Sequence, residues 1–549
     1  MINTSYQQPN IKYNPQSPVI PSQINQPQAV SNNSYSASVY PTKIASVYND
    51  SGLTHTSWFY VNDIHGKMTK MERIYNMTQE FDRMSPSERW DFFKGVNDKD
   101  VTKFKVSSGD IIIGSNNKNN QVASKFLDWS GFIASALGNH ETDVIEPEDL
   151  SALLKDNKCK MLALNVDVKS GSPLEGRFEK SIIVEKNGEK YGIIGVAPSD
   201  MFERVKPNNT LKSLSVKNVD ETLGLIAKEV ENLEKQGINK IVLLSHSGLV
   251  NDKRIAKEIK GIDIIFSAHT HDLIKGIKEG ENLFYSKSGE PVIITQVGKN
   301  GEYVGVLNID FDSSGIIKKA QNNVVSVQKY NRPLYVKDSV ENIIGRPEIV
   351  GRVKSTVESP KNILFEDNPH GNIIVDAMRT ELGAEIGILN AANIRGFFSE
   401  GAVDTRLLAD ISPFEDKMMI LELSEKQIVD AIKHGCKSIV TNSKPGILLV
   451  SGLKYKCNRK GELLDLEYID KDNKSHKIDV NNPRTDKKYT VAADDFFAMG
   501  GDNYLPSNEN PDFVVKTFDF DKDKLACSYI KKLPQPFEVK HDNRIEIVD

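Results

Sequence analysis

Apolar and polar positions along residues 58–320 predict strands and helices in alternation. Six short apolar runs each end in polar residues, which is typical of a buried strand that leads into a loop. They are WFYV at 58–61, KFKVSS at 103–108, MLALNV at 161–166, KIVLLSH at 240–246, IDIIFSAH at 262–269 and PVIITQVG at 291–298. Within 219–237, apolar residues repeat at helical spacing and a glycine follows them, which predicts a helix. Alternation of this kind predicts an α/β fold.

Two further stretches predict hairpins, and they indicate the kind of sheet. SIIVEKNGEKYGIIGV at 181–196 carries an Asn-Gly turn, and YVGVLNIDFDSSGIIKKA at 303–320 has two apolar runs around a polar turn. Because a hairpin joins antiparallel strands, we expect mixed rather than purely parallel sheets.

Shifts in composition divide the chain into four regions. Residues 1–48 are rich in Asn, Gln, Ser and Pro and carry almost no charge, so we predict a disordered tail. Residues 49–330 hold the first α/β domain. The charged, proline-punctuated stretch 331–362 is interpreted as a helical linker, and 363–549 as a second α/β domain.

The second domain shows the same alternation as the first. Residues 371–383 and 424–435 have helical patterns, the second with a capping residue at its start. Residues 384–396 and 487–504 each begin as a strand and continue as a loop.

Composition limits the class of partner. Of the 549 residues, 39% are hydrophobic and 26% charged, so most of the chain can bury a core. Lys and Arg (70) nearly balance Asp and Glu (75), giving a net charge of −5 and no basic surplus for a phosphate backbone. We therefore expect no nucleic-acid polymer as a partner.

Apolar runs, the N-terminal sequence and the cysteines indicate the cellular compartment of the protein. No apolar run of about 18 residues is present, so no transmembrane segment is predicted. The N-terminal sequence lacks the basic and apolar regions of a secretory signal, so the default expectation is the cytoplasm. The four cysteines are far apart, show no C-x-x-C spacing and are interpreted as buried apolar residues. A Cys436–Cys457 disulfide stays open.

Five polar clusters follow strand candidates of the first domain and carry the candidate chemistry. Ligand crevices of α/β sheets lie beyond the carboxyl ends of strands, so these loops are expected to converge. Five of the ten histidines fall in them. The clusters are Asp63-Ile64-His65-Gly66, Gly109-Asp110, Gly138-Asn139-His140-Glu141, His246, and His269-Thr270-His271.

These residue types predict a metal centre. Asp63 and His65 are two residues apart, as are His269 and His271, so at strand-like spacing each pair points to one side and can chelate. Imidazole, carboxylate and amide ligands suit Zn, Mn, Fe or Co rather than an all-oxygen calcium site. Seven candidate ligands are too many for one tetrahedral ion. We expect two divalent ions about 3.5 to 4 Å apart that share a carboxylate.

The order D-x-H-G, G-D, G-N-H-E, H and H-x-H resembles the signature of calcineurin-like metallophosphoesterases, and GNHETD at 138–143 resembles the 5′-nucleotidase family. The likeness covers about residues 55–535. It implies a four-layer α/β/β/α first domain with mixed sheets, a helical linker and a second α/β domain that binds substrate. The ligands that it implies are Asp63, His65, Asp110 and His271 for one ion, and Asp110, Asn139, His246 and His269 for the other. His271 replaces the usual Gln or Asn of the family, and Zn, Mn, Co, Fe and Mg are not distinguished.

The resemblance also implies a reaction. It is removal of phosphate from nucleoside 5′-monophosphates by in-line attack of a metal-bound water. His140 is expected to stay off the metals and, as an imidazolium, to stabilise charge on the phosphoryl group. Asp143 resembles the carboxylate that orients this ring and raises its pKa, with a turn or capping role as the alternative.

The second domain resembles the 5′-nucleotidase C-terminal domain, in which two aromatic rings hold the base and a carboxylate beside Gly-Gly holds the ribose. The substrate-facing residues that this implies are Asn390, Arg395, Phe414, Phe496 and Asp502. A core role for either phenylalanine, and a turn role for Asp502, stay open. The family's G-G-G-I-R and G-G-D-G are replaced by sequences with side chains at 391–395 and 500–503, so the pocket shape is expected to differ.

Two alternatives remain at this point. The first is another enzyme of the same family, a 2′,3′-cyclic-nucleotide phosphodiesterase or a nucleotide-sugar pyrophosphatase. The second is a non-catalytic binding or surface protein on the same fold, which predicts damaged ligands. Relatives of the family are commonly exported, so a periplasmic or extracellular location is the alternative to the cytoplasm.

Overall fold

The computed structural model describes residues 38–41, 52–113, 117–205, 207–329, 337–414, 416–441, 445–508 and 511–549. Most of the predicted tail, 1–48, lies outside these ranges. The exception is Ser38–Pro41, a strand that pairs antiparallel with Ile317–Ser326. Those four residues therefore add an edge strand to a sheet of the first domain.

Two mixed sheets form the first domain. The seven-stranded sheet has the order β1-β15-β14-β2-β3-β4-β5, the six-stranded sheet has the order β12-β13-β11-β10-β8-β7, and β6 pairs with β9. The bounds of these strands are β1 (Ser38–Pro41), β2 (Thr54–Val61), β3 (Val101–Ser107), β4 (Ala134–Ala136), β5 (Lys160–Leu162), β6 (Val166–Val168), β7 (Ser181–Lys186), β8 (Glu189–Val196), β9 (Leu214–Val216), β10 (Ile241–Ser245), β11 (Ile264–Ser267), β12 (Leu283–Tyr285), β13 (Pro291–Thr295), β14 (Tyr303–Phe311) and β15 (Ile317–Ser326).

Helices cover the outer face of each sheet and complete the four α/β/β/α layers. Along β2, Trp58 and Tyr60 lie in the core between the sheets, whereas Phe59 and Val61 pack on the helix side, as the two-residue period of a strand requires. The helices of this domain are α1 (Met68–Arg83), α2 (Pro86–Arg89), α3 (Asn117–Trp129), α4 (Pro147–Leu154), α5 (Met201–Arg204), α6 (Asn209–Lys212), α7 (Val219–Lys235) and α8 (Leu249–Glu258).

Local sequence signals account for most of these bounds. The predicted helix at 219–237 is α7, which begins with a capping box between Asn218 and Glu221. Both predicted hairpins are present, as β7–β8 and β14–β15. The run MLALNV is not one strand, because the backbone nitrogen of Leu164 bonds to the Gly195 carbonyl and turns the chain toward the other sheet.

The second domain has a mixed five-stranded sheet, β20-β17-β24-β19-β25, and a four-stranded sheet, β23-β22-β21-β26. Its strands are β16 (Ile349–Val353), β17 (Ile386–Asn390), β18 (Gly401–Asp404), β19 (Met418–Ser424), β20 (Leu448–Ser451), β21 (Leu453–Asn458), β22 (Leu463–Ile469), β23 (Ser475–Lys477), β24 (Lys488–Asp494), β25 (Val514–Thr517) and β26 (Ile545–Val548). The helices from the linker onward are α9 (Lys337–Ile344), α10 (Pro369–Leu382), α11 (Thr405–Ile411), α12 (Glu425–Thr441), α13 (Asp495–Ala498) and α14 (Lys522–Lys532).

Tertiary contacts extend some elements beyond their sequence signals. In the described part of the linker, β16 pairs with β18 of the second domain. Helix α12 continues past Gly435, where an added Cβ would lie 2.9 Å from the Gly446 carbonyl oxygen, so this glycine serves close packing rather than termination. All four cysteines are free. Within the described ranges, no helix is both long enough and apolar enough to cross a membrane.

Contacts between α1 and α11 join the two domains beside the first polar cluster. The backbone nitrogens of Met68 and Thr69 donate to the Asp410 carboxylate at 2.8 and 3.1 Å. The buried side chains of Arg406 and Glu72 form an ion pair one turn further along. The second domain therefore caps the helix that follows the Asp63–His65 loop.

Candidate functional site

The polar clusters lie together at the carboxyl ends of strands from both sheets. In the seven-stranded sheet the clusters follow β2, β3 and β4, and in the six-stranded sheet they follow β10 and β11. The residues placed there are Asp63, His65, Asp110, Asn139, His140, His246, His269 and His271. The predicted convergence on one site is therefore present.

Two buried carboxylates lie at the centre, with three histidines around them. The His246 Nε2 atom is 3.1 Å from an Asp110 oxygen and 3.8 Å from an Asp63 oxygen. The His65 Nε2 atom is 3.5 and 3.8 Å from the same two carboxylates. The His271 Nε2 atom is 3.4 Å from Asp63. Groups of three potential ligand atoms from this set lie within 4.8 Å of one another, which is close enough to share an ion.

The hydrogen bonding of the predicted ligands shows whether these side chains can bind a metal ion. The Nε2 atoms of His65 and His246 and the Oδ1 atom of Asn139 are buried and make no hydrogen bond of good geometry, although both Nε2 atoms face the Asp110 carboxylate. The other ring nitrogens are occupied, since His65 Nδ1 donates to Asn300 at 3.1 Å and His246 Nδ1 donates to the Ser108 carbonyl at 2.6 Å. Metal-ligating histidines normally have their second nitrogen fixed in this way. The donor set therefore fits divalent ions.

Backbone strain concentrates at the same loops. Non-glycine residues rarely adopt positive φ, at a cost of about 1 to 3 kcal/mol each, and such strain clusters at functional sites. It is held here by backbone bonds, with the Asp63 nitrogen donating to the Gly109 carbonyl at 3.0 Å. Five of the seven predicted ligands have φ between 50° and 75°: Asp63, His65, Asp110, His269 and His271.

The first residue of G-N-H-E, Gly138, lies where there is no space for a side chain. A Cβ at Gly138 would lie 2.1 Å from an Asp110 carboxylate oxygen. Any side chain at this position would therefore displace the central carboxylate.

The charges of the site attract cations. Burial alone would raise the pKa of the Asp110 carboxyl, but positive charge at His246 and His140 holds that pKa well below its ordinary value. The pKa of Asp63 is also lowered, because a hydrogen bond from His271 and charge at His246 outweigh its burial. Both buried carboxylates are thus ionised.

His140 is held by carboxylates on two sides. Its backbone nitrogen donates to Asp110 at 2.8 Å, and its Nδ1 bonds to Asp143. Burial would lower the pKa of the His140 ring, but Asp110 and Asp143 raise it to about 9. His65, Asp110 and His140 also have the spacing of a metal group. The role of His140 as a proton donor rather than a ligand stays a prediction.

Glu141 was missed as a functional residue, although it stands in the G-N-H-E motif. It is buried and accepts hydrogen bonds from the backbone nitrogens of Asp110 at 3.0 Å and Gly138 at 2.8 Å. It therefore holds two of the ligand loops against each other.

Asp200 was also missed, and it sets His269 apart from the other predicted ligands. The His269 Nε2 atom lies 3.1 Å from an Asp200 oxygen, which leaves Nδ1 as the nitrogen available to an ion. Asp200 follows β8 without any motif that marks it. Asn300, which fixes His65, is likewise in an unpatterned loop.

In the second domain, the structure brings the substrate-facing candidates together in pairs. The Asn390 amide donates to Asp502 at 3.2 Å, and its Oδ1 is buried without a hydrogen-bond partner. Asp502 has φ 54°. The Arg395 guanidinium lies 5.6 Å from the centroid of the Phe414 ring. Burial lowers the pKa of the Arg395 guanidinium, and the negative charge of Asp143 opposes that shift, which places this arginine beside the His140 loop.

Burial separates the two phenylalanines of D-D-F-F. Phe497 is fully buried in the core, whereas Phe496 is only half-buried and its ring lies against Gly501. Phe414 is half-buried as well. Phe497 is therefore the core residue of this pair, and stacking by Phe414 and Phe496 stays a prediction.

Comparisons with known proteins divide the chain in the same way. Residues 59–273 match the family described as calcineurin-like phosphoesterase, and residues 349–507 match the 5′-nucleotidase C-terminal domain. A trifunctional nucleotide phosphoesterase of Bacillus subtilis is 26% identical over 428 residues, which cover 69% of this chain but only 28% of that protein.

Two further comparisons extend over most of both chains. A 5′-nucleotidase of Diplobatis ommata is 25% identical over 520 residues, 86% of this chain and 87% of that protein. The crystal structure of a 5′-nucleotidase precursor from Thermus thermophilus has a TM-score of 0.65 at 21% identity, covering 90% of this chain and 99% of that chain. The structural likeness supports the two-domain fold.

Proposed function

Because the chain joins a calcineurin-like phosphoesterase domain to a 5′-nucleotidase C-terminal domain, it belongs to the 5′-nucleotidase family, and from this premise we propose its reaction. The chain is a metal-dependent phosphoric ester hydrolase. Its substrates are small-molecule nucleotides, and the proposed reaction removes phosphate from nucleoside 5′-monophosphates. The observation that carries the proposal is the set of buried histidine and amide ligand atoms that lie around the Asp63 and Asp110 carboxylates.

Two ions would share Asp110. The first would also bind Asp63, His65 and His271. The second would bind Asn139, His246 and His269. When bound, the two ions supply Lewis acidity to the phosphoryl oxygens and lower the pKa of a water.

The side chains of His140 and Asp143 stabilise the negative charge that develops on the leaving oxygen. The carboxylate of Asp143 fixes Nδ1 of His140, so Nε2 carries the proton that faces the site. Donation from this nitrogen stabilises the oxygen as its bond to phosphorus breaks. Asp143 acts through the ring and is a positioning residue.

The second domain would hold the nucleoside. The half-buried rings of Phe414 and Phe496 offer stacking faces, and the unpartnered Oδ1 of Asn390 beside Asp502 offers acceptors to ribose hydroxyls. Arg395 connects this pocket to the His140 loop and suits an anionic phosphoryl oxygen.

A substrate panel tests the proposal. Enzyme depleted of metal by a chelator is assayed with AMP, 2′,3′-cyclic AMP and UDP-glucose after Mn, Co, Zn or Mg is restored. The proposal predicts metal-dependent phosphate release that is fastest from AMP. Faster cleavage of either other substrate would replace the monophosphate assignment, and no cleavage with any metal would favour the binding-protein alternative.

The compartment is tested separately. The cytoplasmic location predicted from the N-terminal sequence, and export as its alternative, are distinguished by cell fractionation with an antibody against the protein.

A further inference from the structure

The side chain of Lys522 is fully buried in the second domain, at the first position of α14. Lysine is almost never fully buried unless it is paired, because burial removes the water that solvates its ammonium group. Lys240 in the first domain is buried to a similar degree and pairs with Glu189. The partners of Lys522 therefore indicate what its buried charge does.

Two hydrogen bonds of the Lys522 ammonium reach the loop that leads into β19. Its Nζ atom donates to the backbone carbonyl oxygen of Phe414 at 2.9 Å and to the carboxylate of Asp416 at 3.1 Å. Burial lowers the pKa of Lys522, but the negative charges of Asp416 and Asp494 outweigh it and raise that pKa. The group is thus held as an ammonium that fixes the backbone of Phe414.

Asp494 connects the same ammonium to the helix that carries Phe496. This buried carboxylate accepts a hydrogen bond of 2.9 Å from the Phe497 backbone nitrogen and so caps α13. Burial and the charge of Asp416 raise the pKa of Asp494 to about 7, and the positive charge of Lys522 opposes that rise. Lys522 therefore stabilises the ionised form of this cap.

A side-chain bridge also joins Asp494 to the Phe414 loop. The Asn393 amide donates to Asp494 at 3.2 Å, and its oxygen accepts a hydrogen bond of 2.7 Å from the hydroxyl of Ser412, two residues before Phe414. Asn393, Ser412 and Asp494 are all buried. The loop and the cap of α13 are therefore connected by this bridge as well as by Lys522.

The strand register explains why the loop and the helix meet. In the antiparallel pair β19–β24, the first residue of β19, Met418, lies opposite the last residue of β24, Asp494. Because one strand begins where the other ends, the loop before β19 and the helix after β24 leave the sheet side by side. Phe414 is in that loop and Phe496 is in that helix.

We propose that Lys522 is a positioning residue that sets the separation of the Phe414 and Phe496 rings, and thereby the affinity of the enzyme for the base of its nucleotide. This role rests on the proposed function, in which the two rings stack on the base. Lys522 does not reach the substrate, because its side chain is fully buried. It acts through the backbone of Phe414 and through the cap of α13.

The test removes the charge of Lys522. In Lys522→Met the side chain keeps its approximate length and loses both hydrogen bonds. This variant leaves the Asp416 carboxylate without its counter-ion, so a second variant, Lys522→Met/Asp416→Asn, neutralises that group as well. The matched control is Lys240→Met, which breaks the ion pair of a buried lysine at the start of β10, the strand end away from the metal loops. Thermal unfolding establishes that each protein is folded.

The first arm titrates the metal-loaded proteins by calorimetry with adenosine, which has the base and the ribose but no phosphate ester. We expect the affinity for adenosine to fall about tenfold in both Lys522 variants and to stay unchanged in the control, because misplaced rings lose part of the stacking on the base. Binding is measured whether or not a phosphoester is hydrolysed.

The second arm compares AMP with ribose 5-phosphate, which lacks the base. We expect the KM for AMP to rise about tenfold in the Lys522 variants, with kcat for AMP and both constants for ribose 5-phosphate unchanged. A purely structural role of Lys522 would lower the unfolding temperature and leave the difference between the two substrates as it is in the wild type.

Three outcomes would overturn the proposal. The first is a folded Lys522 variant that binds adenosine as tightly as the wild type does. The second is an equal loss of activity on AMP and ribose 5-phosphate. The third is wild-type protein that does not bind adenosine, since no base site then exists to be positioned. Adenosine binding that depends on Lys522, without hydrolysis of either phosphoester, would instead refute the proposed function alone.

Discussion

The Asp410 carboxylate of the second domain accepts a hydrogen bond of 2.8 Å from the backbone nitrogen of Met68, the first residue of α1. Helix α1 lacks a side-chain cap from its own N-cap residue, Lys67. The first turn is therefore satisfied from the other domain, just after the Asp63–His65 loop. This bond links the docking of the two domains to the position of the metal loop.

Removing this cap should lower stability. Asp410→Ala leaves the nitrogens of Met68 and Thr69 without an acceptor, so we expect the free energy of unfolding to fall by about 1 to 3 kcal/mol. Chemical denaturation measures it. Asp410→Asn keeps one acceptor oxygen and should lose less. An Ala variant that unfolds at the same denaturant concentration as the wild type would refute the capping role.

His140→Ala should separate catalysis from metal binding. Loss of a positioned proton donor is expected to lower kcat by about 10² to 10⁴-fold, while both ions stay bound. Steady-state kinetics and mass spectrometry of bound metal measure the two effects. Asp143→Asn should lower kcat less, because the ring remains. Loss of metal together with activity would instead make His140 a ligand.

Phe496→Ala should discriminate between substrates. A stacked base contributes about 1 to 3 kcal/mol by alanine substitution, whereas para-nitrophenyl phosphate has no nucleoside to stack. We therefore expect kcat/KM to fall more for AMP than for para-nitrophenyl phosphate. Phe497→Ala, at a fully buried position, is the matched control for structural damage. Equal losses on both substrates would make Phe496 a packing residue.

Asp263 gives the first domain a pH-dependent stability. This carboxyl is buried, and burial raises its pKa well above the ordinary value, although it accepts a bond of 2.7 Å from the Ile241 nitrogen. A group whose folded pKa is raised stabilises the fold fully below its unfolded pKa of about 3.9, and that contribution is lost as the pH rises through the folded pKa.

Replacing Asp263 by Asn removes this titration and keeps an acceptor for Ile241. We expect the variant to exceed the wild type in free energy of unfolding at about pH 8, with a gap that narrows as the pH falls. Asp472→Asn, at an exposed position, should show no such gap. A gap that is the same at every pH would contradict the assignment.

The sequence predicted the parts of the site that local pattern encodes. Each ligand loop follows an apolar run, and strand ends on one side of an α/β sheet meet in space, so Asp63, Asp110 and His246 could be brought together without a structure. The helix at 219–237 could also be predicted from local sequence, because its capping residues and its apolar face lie within one stretch.

What the sequence missed depends on contacts between distant residues. Asp200 meets His269 across 69 positions, and Asn300 meets His65 across 235. No spacing rule connects such pairs. The predicted strand MLALNV ends early because Leu164 bonds to Gly195 in the other sheet. Helix α12 continues past Gly435 because this glycine packs against Gly446.

The central claim is that two ions share Asp110, and metal content measures it most directly. Wild-type protein and Asp110→Asn are dialysed against Mn or Zn, and bound metal per chain is determined by mass spectrometry beside AMP hydrolysis and thermal unfolding. The account predicts two ions per wild-type chain, with loss of at least one ion and of nearly all hydrolysis in a folded variant. Two tightly bound ions and full activity in Asp110→Asn would contradict it.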